Sequence, residues 1–256
     1  MYSYVCVLST NNYLEGVLVI NENLKHLKSK YKLLCLINEN IDDTTRETLS
    51  RFNIEYKEMK SINPQNPNNR WAYTFDKLNI FDLEEYEKIV YLDLDFLILE
   101  NIDNLFEIDR FAMVSDANKD HNFFCSALMV IKPNHKDYIG LVDLYNDTIK
   151  NTDCVIGDQQ IINDYFDDIY EIPLEYNFLK AVQTELIDSF DFIKNEFVKK
   201  HKCKDYYVSI NPKIIHYYGD FKPFFVNNQF DDKYCNLYFY YLESVRKQKN
   251  EIKKEK

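Results

Sequence analysis

Roughly a third of the way along the chain runs Lys88-Ile89-Val90-Tyr91-Leu92-Asp93-Leu94-Asp95. Its first five residues, rich in β-branched and aromatic side chains, read as a strand buried on both faces. That strand leads directly into two carboxylates spaced i, i+2. In open α/β sheets ligands gather beyond the carboxyl ends of the strands, which is where Asp93 and Asp95 fall. If the segment stays extended, both side chains point to the same side and can share one hard divalent cation, which would bridge them to a diphosphate. The plainer alternative is a solvated turn, because Asp-x-Asp is a common triplet. The pair gains meaning only from partners elsewhere in the chain.

Strand-like and helix-like segments alternate on the N-terminal side of this motif. The apolar run Tyr4–Leu8 is followed by turn-forming Ser9-Thr10-Asn11-Asn12. Leu14, Val17, Leu18, Leu24 and Leu27 then keep to one helical face. Leu33–Ile37 reads as a second strand, residues 44–52 as a short helix, and Ile54-Glu55-Tyr56 as a third strand. This βαβαβ order predicts a parallel sheet. Residues 61–69, rich in Asn and Pro, predict a loop. Trp71, Phe75, Leu78 and Phe81 suit one face of a helix.

On the C-terminal side, strands are expected at Phe111–Val114 and Ala127–Ile131. A long helix is expected over His135–Lys150, with Tyr138, Leu141, Val142, Tyr145 and Ile149 turned inward. The expectation is a single α/β domain, residues 1–224, with a mainly parallel, Rossmann-like central sheet flanked by helices. Residues 225–256 are aromatic and then charged, and read as a helical extension packed on that domain.

Composition narrows the function. The 256 residues are 46% hydrophobic and 16% aromatic, with only 4 Gly and 6 Pro, as a folded globular chain requires. A net charge of −11 argues against a nucleic-acid partner. The basic run from Arg246 to Lys256 reads as a frayed helix end rather than a binding tail. No segment approaches the roughly 18 apolar residues of a membrane span, and the first residues lack the charged region of a signal peptide. The six cysteines are scattered with no CxxC pair, which fits a reduced, cytoplasmic protein.

Two further groups of residues carry chemistry. His216 follows the apolar pair Ile214-Ile215 and opens His216-Tyr217-Tyr218-Gly219-Asp220-Phe221-Lys222-Pro223-Phe224. A neutral imidazole can complete a transition-metal site begun by two carboxylates. Gly219 would let backbone approach a phosphate, and Lys222 could neutralise it. A lone histidine after a strand is otherwise structural. Gly157-Asp158-Gln159-Gln160 opens another helix. There Asp158 is either an ordinary N-cap or, with Gln159, a carboxylate and amide suited to sugar hydroxyls.

In order and spacing these groups resemble the glycogenin-like, retaining family of nucleotide-sugar glycosyltransferases, glycosyltransferase family 8, which also holds bacterial lipopolysaccharide galactosyltransferases. The resemblance runs from about Val5 to Phe224 and implies a GT-A-type fold. Leu8-Ser9-Thr10-Asn11-Asn12-Tyr13 and Gly16 resemble the family's segment that cradles uridine and ribose. Asp93, Leu94 and Asp95, with the sequel Asn101–Phe106, resemble its metal motif, and His216, Gly219, Lys222 and Pro223 its closing motif. The resemblance implies Mn²⁺, with Mg²⁺ as the other option, held by Asp93, Asp95 and His216 and bridging both donor phosphates. It implies Lys77 and Asp116 on phosphate and sugar, Cys125 and Ser126 in the donor site, and Asp158 and Gln159 near the anomeric carbon in positioning and electrostatic roles.

The implied reaction is retaining transfer of a hexose, glucose or galactose favoured, from a UDP-sugar to a carbohydrate, glycoprotein or glycolipid acceptor, with a homodimer admitted. Departures from the family pattern accompany the match. Cys125-Ser126-Ala127 stands where the family has Asn-Ser-Gly, and Phe224 replaces a tryptophan. No tyrosine occurs from Leu179 through Asp205, the region where a self-glucosylating protein would carry its acceptor, and Tyr206 and Tyr207 read as packed residues. A self-glucosylating primer and a catalytically silent carbohydrate-binding or assembly module are the alternatives within the resemblance. A metal-dependent phosphohydrolase or nucleotidyltransferase is the alternative outside it, but such sites usually want further acidic ligands or a Gly-rich phosphate loop.

Overall fold

A computed structural model of the chain describes residues 1–62, 73–115, 123–151, 156–181, 211–219, 222–225 and 233–254. Its inner strands are apolar at every position because both faces of the central sheet are covered. On β1 (Tyr2–Leu8), Tyr4, Cys6 and Leu8 face one hydrophobic core, while Val5 faces the other. On β2 (Leu33–Ile37) the alternation repeats, with Leu33, Cys35 and Ile37 on the first side and Leu34 and Leu36 on the second. β4 (Lys88–Leu92) does likewise with Val90 and Leu92 against Ile89 and Tyr91. A period of two with apolar residues in both phases is what a sandwiched sheet demands.

The central sheet has seven strands in the order β3-β2-β1-β4-β7-β6-β8. Here β3 is Glu55–Glu58, β6 is Ala112–Ser115, β7 is Phe124–Ile131 and β8 is Tyr170–Ile172. β1 pairs parallel with β2 and β4, β2 with β3, and β6 with β8, so that β7 alone runs antiparallel to its neighbours. The expected βαβαβ unit is present, with α1 (Leu14–His26) and α2 (Asp43–Arg51) as crossovers. α1 lies over the first core. α3 (His135–Asn151) and α4 (Asp158–Tyr165) cover the second, α3 chiefly through Leu141 and Tyr145.

The helix expected around Phe75, Leu78 and Phe81 is a 3₁₀ helix, Thr74–Asp82, and Trp71 lies outside the described residues. A spacing of three stacks those residues on one face of a 3₁₀ helix, which sequence periodicity does not separate from an α-helical face. All three are buried.

A second, three-stranded sheet was not anticipated as such. Its order is β5-β10-β9, from Phe96–Ile98, Ile214–Tyr218 and Phe178–Ala181. β5 is only three residues long and follows Asp95 directly, so its separate pairing left no mark in the pattern of side chains. The last helix, α5 (Lys233–Lys254), packs Cys235, Tyr238, Leu242 and Val245 into the first core. The basic run is not frayed at its start: Arg246 donates to both carboxylate oxygens of Glu15 on α1 and to the Phe224 carbonyl. Among the described residues no helix is long and apolar enough to cross a membrane.

Candidate active site

β4 ends at Leu92, and the chain turns through Asp93-Leu94-Asp95 into β5. The aspartate pair therefore lies on a turn, not on an extended segment as its spacing predicted. The carboxylates meet because the chain changes sheets between them. The Asp93 amide donates to the Ala127 carbonyl of β7 (2.9 Å), while Asp95 accepts at its carbonyl from the Tyr217 amide of β10 (3.0 Å). One aspartate is thus fixed to each sheet. The Leu94 side chain is buried in the first core. A Cβ placed on Gly16 of α1 would come within 2.3 Å of the Leu94 carbonyl oxygen, so only glycine lets the helix press against the turn.

Asp95 is 7% exposed, which excludes the solvated-turn reading. Asp93, Asp95 and His216 each offer a ligand atom, and the three atoms lie within 4.8 Å of one another. Lys222 reaches in from beyond β10, its Nζ 2.5 Å from Asp95 Oδ2 and 2.9 Å from the Tyr217 carbonyl. Burial pushes the Asp95 pKa up, but His216, when protonated, and Lys222 outweigh it and hold the carboxyl below its usual range. Burial and the neighbouring Asp95 raise Asp93 instead, against the pull of Lys77 and His216.

The fit of this cluster to a metal rests on one atom. Asp95 Oδ1 is buried without a hydrogen-bond partner among the described residues, 3.4 Å from His216 Nε2. His216 Nδ1 is 2.8 Å from the amide oxygen of Asn177, which can only accept. In the neutral ring the proton therefore sits on Nδ1, and a nitrogen lone pair faces a carboxylate oxygen. A cation between these two atoms, a proton or a metal ion, satisfies both, and Asn177 is the outer group that aims the imidazole.

Lys77 forms the other half of the site. Its Nζ lies 2.8 Å from Asp158 Oδ2, 3.1 Å from Asp93 Oδ1, and within 3.3 Å of both the hydroxyl and the carbonyl of Ser126. Burial opposes its charge, but Asp158 and Asp93 more than compensate and its pKa is raised. Asp158 is not an N-cap. Gly157 caps α4, and Asp158, the first helical residue, turns its carboxylate to Lys77 and the Ser126 hydroxyl (2.7 Å).

The register of β6 on β7 shifts where Val114 meets Cys125, a β-bulge that frees the backbone of Ser126. Its amide donates to the Gln159 side chain (3.2 Å) and its carbonyl receives Lys77. Asn163, one turn further along α4, brackets Phe124 by accepting from its amide and donating to its carbonyl. The half-buried Cys125 sits within this bulge.

Of the residues singled out in sequence, the structure gathers Lys77, Asp93, Asp95, Ser126, Asp158, Gln159, His216 and Lys222. Gly219 has φ +87°, a left-handed conformation that favours glycine, and open space where a side chain would stand. Leu8, Ser9, Thr10, Asn11 and Tyr13 form the end of β1 and the turn beyond it. Asn38 donates to the Ser9 carbonyl, Asn11 accepts from the Asp42 amide, and Tyr13 packs edge-on against Phe224 and Phe225. Asp116, Tyr206 and Tyr207 lie outside the described residues. Sequence reasoning missed Asn177, Asn163 and Tyr91, whose hydroxyl donates to Asp93 (2.6 Å). Only Tyr91 left a readable signal, standing two residues before Asp93 on the strand that leads into the turn.

Comparison with known proteins bears on the family and the fold. The profile of the family described as glycosyl transferase family 8 matches residues 4–227. Glycogenin-1 of Caenorhabditis elegans is 27% identical over 228 residues, covering 86% of this chain and 50% of that protein. Galactinol synthase 1 of Solanum lycopersicum is 29% identical over 211 residues, covering 70% of this chain and 65% of that one. The chain thus spans half to just under two thirds of these relatives. The fold also matches that of the galactosyltransferase LgtC, solved with donor and acceptor sugar analogues. The TM-score is 0.70 at 14% identity, over 95% of this chain and 96% of that one.

Proposed function

Because this chain belongs to glycosyl transferase family 8, we propose that it transfers a hexose, glucose or galactose favoured, from a UDP-sugar to an external carbohydrate-bearing acceptor with retention of anomeric configuration. The observation that carries the metal-dependent part is the buried, unpartnered Asp95 Oδ1 facing His216 within the Asp93–Asp95–His216 cluster. Asp93, Asp95 and His216 would hold a divalent ion, Mn²⁺ in this proposal, which would supply positive charge against that of the departing nucleoside diphosphate.

The chain's own residues do the rest. Lys222, already in contact with Asp95, adds positive charge on the diphosphate side of the site. Lys77 bridges Asp158 and Asp93, so that both carboxylates keep one geometry through the reaction. Asp158 Oδ2 is engaged by Lys77 and Ser126, and among the described residues no hydrogen bond takes Oδ1. In this reading Oδ1 faces the sugar and stabilises positive charge near the anomeric carbon. Gln159 holds the Ser126 amide and thereby the bulge that carries Cys125. With Cys125 in place of an amide side chain, the sugar loses one hydrogen-bond partner there, and Asp158 and Gln159 carry more of its orientation.

The test is UDP release from a panel of UDP-sugars with Mn²⁺, with and without carbohydrate acceptors, alongside intact-mass measurement of the protein. Metal-dependent UDP release without hexose addition to the protein is expected. Release unaffected by EDTA would sink the metal reading, and a ladder of added hexose masses would replace the external acceptor with self-glycosylation.

A further inference from the structure

Asp76, in the 3₁₀ helix just before Lys77, has no exposed surface and accepts four hydrogen bonds. Its Oδ2 receives the Ser9 hydroxyl (2.6 Å) and the Asn38 side-chain amide (2.9 Å). Its Oδ1 receives the Ser61 hydroxyl (2.8 Å) and the Ile62 amide (2.9 Å). One carboxylate thus ties together the turns that follow β1, β2 and β3. Asn38 closes the arrangement by donating to the Ser9 carbonyl as well (3.1 Å), so Ser9 is gripped by both its side chain and its backbone.

A serine hydroxyl has one proton and two lone pairs. The short bond to a carboxylate commits that proton, since charge-assisted O–H···O⁻ bonds outcompete neutral ones. Ser9 stays partly exposed at the end of β1, beside the candidate metal turn at the end of the adjacent strand β4. We propose that Asp76 is a positioning residue for the donor nucleoside: by taking the Ser9 proton it leaves Ser9 Oγ able only to accept, from a uracil N–H or a ribose hydroxyl. This rests on the donor reading above. It adds that the nucleoside end of the site presents a fixed acceptor, set by a carboxylate that itself touches no ligand.

The experiment is titration calorimetry with UDP and, separately, pyrophosphate, both with Mn²⁺, on the wild-type protein and on Ser9→Ala, Asp76→Asn and the double variant. Each single substitution is expected to weaken UDP about tenfold, the worth of one hydrogen bond. Pyrophosphate affinity should stay within about twofold, as for a substitution remote from the ligand. The double variant should be no weaker than the weaker single one, because Asp76 acts through Ser9. Unchanged UDP affinity in Asp76→Asn, an equal loss for pyrophosphate, or additive losses in the double variant would overturn the proposal. If Asp76→Asn does not fold, 3-methyl-UDP, 2′-deoxy-UDP and 3′-deoxy-UDP carry the test. The analogue lacking the matching donor should bind the wild type weakly but bind Ser9→Ala no worse than UDP does, and three analogues that all bind the wild type as UDP does would overturn it. A wild-type protein that binds pyrophosphate with Mn²⁺ but not UDP would remove the donor reading itself, a result distinct from the failure of Asp76.

Discussion

At the scale of single residues, Asp95 carries two duties that a substitution separates. It is a ligand of the candidate metal cluster and the buried counter-ion of Lys222. Asp95→Asn should therefore abolish metal-dependent UDP binding and also lower the stability of the metal-free protein. Removing one partner of a buried pair strands the other charge, at a cost of about 3 kcal/mol. Calorimetry with Mn²⁺ and UDP, and denaturant unfolding in EDTA, measure the two losses. An unchanged unfolding midpoint would mean that Lys222 turns to water and that the pair contributes nothing to the apo fold. Asp93, Asp95, His216 and Lys222 were legible as candidates in the sequence because each stands in a short run of chemically suggestive neighbours. Asn177 was not, because its one informative contact, to His216, spans 39 residues and depends on β9 and β10 pairing in a sheet that periodicity does not reveal.

At the scale of elements, the site depends on how closely α1 approaches the turn between β4 and β5. Gly16→Ala would set a methyl group 2.3 Å from the Leu94 carbonyl oxygen, and a backbone atom cannot swing aside as a side-chain tip can. The expected result is a loss of about 1–3 kcal/mol of stability from overpacking, together with weaker binding of UDP and Mn²⁺, because the atom that must move belongs to the Asp-Leu-Asp turn. Full affinity alongside reduced stability would show that α1 yields rather than the turn.

The segment Asn101–Phe106, part of the family resemblance, has a structural task. Asp103 accepts from the Tyr4 hydroxyl of β1, the Ser29 hydroxyl and the Lys30 amide, and so fastens the start of β1 to the connection between α1 and β2. Burial acts to raise its pKa, but these hydrogen bonds prevail and lower it. A lowered folded pKa stabilises above the unfolded value and is lost as the pH falls through the folded one. Asp103→Asn should thus cost about 2 kcal/mol near neutral pH, through lost charge-assisted bonds. The gap to wild type should narrow as the pH drops below the ordinary carboxylate range. Denaturant unfolding at neutral and acid pH measures it, and a gap that widens in acid would contradict the assignment.

At the scale of the whole molecule, the candidate site is the seam between the two sheets. Asp93 is bonded to the large sheet through Ala127, and Asp95 to the small one through Tyr217. Lys222 and His216 come from the small sheet and its continuation, Lys77 and Asp158 from elements on the far face of the large one. Like charges drawn together at such a seam work against its closure: the pKa of Asp93 is raised first by burial and then by Asp95 and Asp158 beside it. A cation with a diphosphate would relieve that repulsion and bind only the assembled site. Linkage then stabilises the fold by about 2.7 kcal/mol at a hundredfold excess over Kd. At about 2–4 °C per kcal/mol for a chain of this size, the melting temperature should rise by roughly 5–10 °C. The rise should require Mn²⁺ and UDP together, grow with the logarithm of UDP concentration, and vanish in EDTA. Scanning calorimetry across a UDP series decides it. A shift that Mn²⁺ alone produces in full would show that the seam closes on the metal, with the nucleotide adding nothing to the coupling between the sheets.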